Sequence, residues 1–151
     1  RNGENEIVNK FVSFVKSKTD APRFFHWSHA EKSVFEMLNR KYNNQWNKWK
    51  KTITWIDMYK VFVDEPIVIK GAKKFALKEI ATAMYNNGMI ESKWPNNIGN
   101  GFDAMNNAIK YYRNINSGID DDTMDSIIDY NEIDCKVIWE IVSYLRNHHV
   151  E

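Results

Sequence analysis

Cysteine and net charge are both scarce in this 151-residue chain. Cys135 is the single cysteine, which excludes an internal disulfide framework and a cysteine-rich zinc site. A reducing intracellular setting is the expectation. No apolar run approaches the roughly 18 residues that a membrane span requires. No internal repeat, low-complexity tract or domain-dividing linker is present. No signal peptide is visible, and the chain opens on Arg1 rather than Met, so it reads as the C-terminal part of a longer protein. Twenty-one Lys and Arg against 20 Asp and Glu leave a formal charge of +1. Electrostatics therefore do not announce nucleic acid, although an acidic site flanked by basic residues is compatible with neutrality. What is plentiful is apolar and aromatic side chain, 43% and 14% of the residues, which marks a globular chain. This length fits one domain, residues 1–151, burying on the order of two-thirds of its unfolded surface. The abundance of Asn, Lys, Ile and Tyr suggests an AT-rich genome, as in a large DNA virus or a protist, which adds a viral replication compartment to the cytoplasm as a candidate location.

The stretch from Asp129 to Arg146 contains neither Gly nor Pro and has helical spacing. Ile127, Ile138, Ile141 and Leu145 share one side of the wheel. Asp134 falls in the middle of that side, with Tyr130 one turn earlier. A carboxylate on a buried stripe is costly unless a cation, a metal or several donors compensate it. The helix therefore carries either a structural ion pair or a metal ligand.

A second helix, from His29 to about Tyr42, has Val34, Phe35, Leu38 and Tyr42 on its apolar side, and Glu31 falls there too. Ser28 and Glu31 also have the S-x-x-E spacing of a capping box. If the two carboxylates meet, a divalent cation between them is the expectation.

These residues resemble a known family. Tyr130-Asn131-Glu132-Ile133-Asp134 matches the Y-x-x-x-D third motif of DEDD-type, Tyr-class 3′–5′ exonucleases. His26-Trp27-Ser28-His29-Ala30-Glu31 matches their second motif, with Glu as in the YprB-type ribonuclease H-like branch. Trp55-Ile56-Asp57 is similar to the strand that follows, and Phe75-Ala76-Leu77-Lys78-Glu79-Ile80 to an F-x-L-K-x-I helix start. The resemblance runs from about Phe24 to the C-terminus. It implies an α/β, ribonuclease H-like fold, helix-rich and lacking its N-terminal strands. It implies a Mg2+- or Mn2+-dependent nuclease acting on DNA or RNA, with Glu31 and Asp134 as metal ligands. Tyr130 would orient the attacking water, His26 would orient the second-motif strand, and Asp57 would support the site. The first motif, D-x-E, supplies two further carboxylates in the family and is not found here. The chain alone is therefore expected to be inactive, and its open sheet edge to favour aggregation. The competing reading is a non-catalytic module that binds nucleic acid or braces a helicase or RecB-like nuclease partner. A third is a helical domain whose Asp134 pairs with Lys or Arg.

The remaining pattern fills in the order. Glu4 to Lys18 reads as an amphipathic helix through Ile7, Val8, Phe11, Phe14 and Val15. Arg23–Trp27 and Ile53–Ile56 read as short strands. Between them, Trp46 and Trp49 stand among lysines, either stacking on bases or anchoring a loop to the core. Asp57 either supports the site or caps the turn from Met58 to Phe62. Ile67–Lys70 reads as extended, and Phe75–Tyr85 as a helix closed by Gly88. Lys70, Lys74 and Lys78, with Lys73, surround the start of that helix. They form either a phosphate-attracting cluster or a solvated basic face. A loop over Glu91–Gly101, a helix over Phe102–Ile115 and an acidic start at Asp120-Asp121-Asp122 for the last helix complete the reading.

Overall fold

A computed structural model describes residues 3–94, 105, 106, 108, 109, 111 and 122–149, without the side chains of Asp122 and Thr123. The chain divides into two compact units, Arg1–Ile67 and Val68–Glu151.

The first unit holds α1 (Gly3–Lys16), β1 (Arg23–His26), α2 (Ala30–Lys41), α3 (Asn47–Lys50), β2 (Thr54–Asp57) and α4 (Met58–Asp64). The i, i+4, i+7 spacing of Val8, Val12 and Val15 buries one side of α1. Those valines join Phe35, Trp46 and Trp49 in a core cluster against which Phe24, Leu38, Tyr42, Ile53 and Trp55 pack. The two strands pair in parallel, Arg23 with Thr54 through His26 with Asp57. A parallel pair needs a long crossover, and α2 and α3 provide it.

The polar crossover folds around one buried amide. Asn39, 2% exposed, donates to Asn44 and Asn47, and its Oδ1 accepts the Trp46 backbone N–H at 3.1 Å. Asn43 and Asn44 adopt φ of 54° and 58°, a left-handed conformation that Asn tolerates better than most residues. The turn drives Trp46 and Trp49 inward, so these two tryptophans anchor the segment rather than project for stacking. Trp46 also donates its indole N–H to Asn9 on α1 at 2.8 Å.

Two local expectations change. Met58 to Asp64 is a seven-residue helix, not a turn, because the Asp57 side chain caps it by accepting the Tyr59 N–H. The capping box at Ser28 and Glu31 does not form: His29 is the N-cap of α2 and no side chain caps that helix end. Ser28 instead stands one residue outside, with φ 69°.

The second unit contains α5 (Leu77–Asn86) and the 28-residue α6 (Asp122–His149). Ile80, Ala81, Ala83 and Met84 are the buried side of α5; Tyr130, Val137, Ile141 and Val142 are that of α6. Gly88 takes φ 68° just beyond α5, as a C-terminal glycine does. The stretch Ile67–Ile69 forms no strand. Met105, Asn106, Ala108, Ile109 and Tyr111 are helical, while the rest of Phe102–Ile115, the loop from Pro95 to Gly101 and Asp120-Asp121 lie outside the described residues. No helix among the described residues is long and apolar enough to cross a membrane.

Candidate functional site

The C-terminal ends of parallel strands are where open α/β sheets gather functional groups. Here that edge carries His26 and Asp57, register partners on β1 and β2. His26 is buried, and its Nδ1 lies against the Ser28 carbonyl oxygen. A carbonyl only accepts, so Nδ1 carries a proton in this bond. Asp57 Oδ1 accepts the Ser28 backbone N–H at 2.8 Å and the Tyr59 N–H at 3.1 Å. Asp57 thus both caps α4 and fixes the chain where it leaves β1. Of the two roles the sequence offers, support of the site or a cap alone, the cap is the one observed.

Glu31 sits in the first turn of α2. Its side chain is exposed rather than buried beside Phe35, because the first helical turn overhangs the core that Phe35 reaches one turn later. It stands at the wall of a cavity of about 260 Å³ that Phe11, Phe24, Phe35, Trp49, Trp55 and His26 also line. The Trp49 indole N–H is buried with no hydrogen-bond partner among the described residues. Rings stand around it edge-on, Phe35 at 5.6 Å and Phe11 at 6.1 Å between centroids.

In the second unit, Tyr130 and Asp134 lie one turn apart on α6. Tyr130 is buried, and burial, with a smaller contribution from the neighbouring Asp134 charge, pushes its phenol pKa up. It is therefore a hydroxyl that donates or orients at neutral pH, not a base. Asp134 is half-buried and accepts the indole N–H of Trp94 at 2.7 Å. The segment that delivers Trp94 is itself clamped to α6. Glu140 Oε2 accepts the backbone N–H groups of Glu91 and Ser92, each at 2.9 Å, and Oε1 accepts the Ser92 hydroxyl at 2.6 Å. Burial pushes the Glu140 pKa up, but the Ser92 hydroxyl, the two backbone donors and Lys136 outweigh it and hold the carboxyl below its ordinary value. Trp94 and Glu140 were not singled out from the sequence. Their partners lie 40 and 48 or 49 residues away, and no local pattern links them.

Lys70, Lys74 and Lys78 are exposed around the start of α5. Ala76, its N-cap, makes no side-chain hydrogen bond to the first turn. The Lys78 ammonium lies 6.0 Å from the Trp94 ring centroid, within cation–π reach.

Carboxylate oxygens are the hard donors that Mg2+ and Mn2+ take. In number the donors fall short: among the described residues no three His, Cys, Asp or Glu side chains gather into a group that would hold a metal ion. Glu31 belongs to the first unit and Asp134 to the second. The described residues do not make a metal centre by themselves.

No family model matches the chain, and no curated protein or solved structure matches it either.

Proposed function

We propose that the chain belongs to a ribonuclease H-like nuclease of the 3′–5′ exonuclease type and supplies its second and third motifs. The observation that carries this reading is the pair on α6. A buried, protonated Tyr130 stands one turn before Asp134, whose carboxylate is hydrogen-bonded in place. That is the chemistry expected of the third motif: a phenol to orient water and a carboxylate held for electrostatic work. Supporting it, β1 and β2 run in parallel with His26 and Asp57 side by side where they end, and Glu31 follows on the next helix. Exposed Lys70, Lys74 and Lys78 give the second unit groups that attract phosphates. On this reading further acidic residues complete the site, and the protein works inside the cell, in the cytoplasm or a viral replication compartment.

One observation favours a second reading, a non-catalytic module that binds nucleic acid or braces a helicase or nuclease partner. It is the shortfall of metal-ligating groups among the described residues. An exonuclease assay separates the two. Labelled single-stranded DNA and RNA are incubated, with manganese or magnesium in the buffer, with the chain, with a form extended upstream of Arg1, and with Asp134→Asn versions of both. Cleavage by the extended form that Asp134→Asn abolishes supports the nuclease. Binding without cleavage by either form moves the conclusion to the module.

A further inference from the structure

We infer that Trp94 is a positioning residue of Asp134: its indole N–H fixes the direction of the oxygen Oδ1 that it holds. The inference rests on the reading that Asp134 belongs to the functional site.

An indole is a single donor with no acceptor, carried on a rigid bicyclic ring. At 2.7 Å its N–H makes a short, charge-assisted bond to Asp134 Oδ1. A free aspartate on a helix turns about two side-chain bonds. A donor in a fixed place restricts both freedoms, provided the donor itself is held. Trp94 is held at several points. Its ring is 7% exposed, and the backbone two and three residues before it is bonded to Glu140. Glu140 and Asp134 project from the same helix, so the clamp and the oriented group share one rigid frame. Burial alternates through Ser92, Lys93 and Trp94, buried, exposed, buried, which turns Ser92 and Trp94 to the same side. Filling space alone would need only an apolar ring at position 94. The indole does more: it directs its one polar bond at the carboxylate that the sequence places on the apolar side of α6.

The test is to ask whether Asp134 loses its direction when the donor is removed and the ring kept. In Trp94→Phe, three-bond couplings to the Asp134 β-protons report the side-chain rotamer, and amide spectra of α6 report the fold. Wild type is expected to show one χ1 rotamer, and Trp94→Phe rotamer averaging with the α6 amides unshifted beyond the immediate neighbours. Unchanged couplings in Trp94→Phe would overturn the inference. So would rotamer averaging already present in wild type, a result that stands even if the variant fails to fold. Cleavage kinetics keep this separate from the functional reading. If Asp134→Asn abolishes cleavage, Trp94→Phe is expected to lower kcat on the order of 10-fold or more with KM kept. If Asp134→Asn cleaves like wild type, the nuclease reading fails while the couplings still decide about Trp94. If Asp134→Asn is dead and Trp94→Phe fully active, the positioning role alone fails.

Discussion

Asp57 accepts the backbone N–H of Ser28, 29 residues earlier in the chain, at 2.8 Å. The bond ties the exit of β1 to the exit of β2 and stands Ser28 at φ 69°, left-handed backbone that costs a serine roughly 1 kcal/mol. Asp57→Ala removes this acceptor and the cap of α4 together. The expected loss is about 2 kcal/mol, the sum of a lost cap and a stranded N–H. Ser28→Gly relieves the backbone and gives up only an exposed bond to His29, so it should be neutral or stabilise by up to about 1 kcal/mol. Urea denaturation of both variants checks the pair; a stability loss in Ser28→Gly would mean the turn is held by something other than Asp57.

Asn39 offers a sharper case because it is almost wholly buried and its side chain has three partners. Asn39→Leu keeps the branched shape, with a somewhat larger volume, but leaves the Trp46 N–H without its acceptor. A loss of about 2–4 kcal/mol is expected, together with a red shift of tryptophan fluorescence as Trp46 and Trp49 gain water. A stable variant with unshifted emission would show that the two indoles hold the turn without the amide.

Elements with strong apolar periodicity were legible in the sequence within one or two residues. The bounds of α1 and β1 are stated locally, but the burial of α1 only in part: Val8 and Val15 turn inward together with Val12, whereas Ile7, Phe11 and Phe14, expected on the same apolar side, are exposed. Parallel pairing follows once a helix lies between two short strands. What was not legible depended on contacts far along the chain. The spacing of Ser28 and Glu31 suggests a capping box, but the distant Asp57 takes the Ser28 N–H and His29 becomes the N-cap. Glu31 lies on the apolar side of an ideal wheel, yet at a helix start there is no preceding turn to cover it. Asp134 was recognisable as an exception on its helix; that an indole answers it was not, since Trp94 sits in a segment with no periodicity. Tyr130 was the most legible site residue, because one helical turn fixes its relation to Asp134.

Acid should weaken the Glu140 clamp. Its folded pKa lies below the unfolded value, so its contribution is complete above the ordinary carboxylate range and disappears as pH falls through the folded value. Glu140→Gln should cost about 2 kcal/mol near pH 7, where the charged acceptor holds three donors. The gap between variant and wild type should close below about pH 4. Denaturation curves at several pH values measure it; a constant gap would mean that the carboxylate charge is not what holds Ser92.

Alkali should act through Tyr130 with the opposite sign. Its folded pKa is raised, so the neutral phenol contributes stability below the unfolded value near 10, and this is lost as pH rises further. Tyr130→Phe has no proton to lose and should flatten the decline in stability above about pH 10. An unaltered alkaline profile in the variant would place the phenol in water rather than on the buried side of α6.

The lysines beside α5 decide whether the second unit touches phosphates at all. Exposed cations are most often a solvated face, and Lys78 also lies over the Trp94 ring. A phosphate contact, unlike a solvated charge, releases a counterion, so it leaves a mark on the salt dependence of binding. For a single strand each contact contributes about 0.7 to the slope of log K against log salt. Replacing Lys70, Lys74 and Lys78 together by Gln should therefore flatten that slope by about 2 if all three engage the backbone. Fluorescence anisotropy with a labelled oligonucleotide at several salt concentrations gives the slopes. An unchanged slope would remove these lysines from the interface. A slope that flattens by about 0.7 would leave one engaged lysine, and single substitutions would then find it. Because the readout is binding alone, it tests this surface equally under the nuclease reading and under the non-catalytic one.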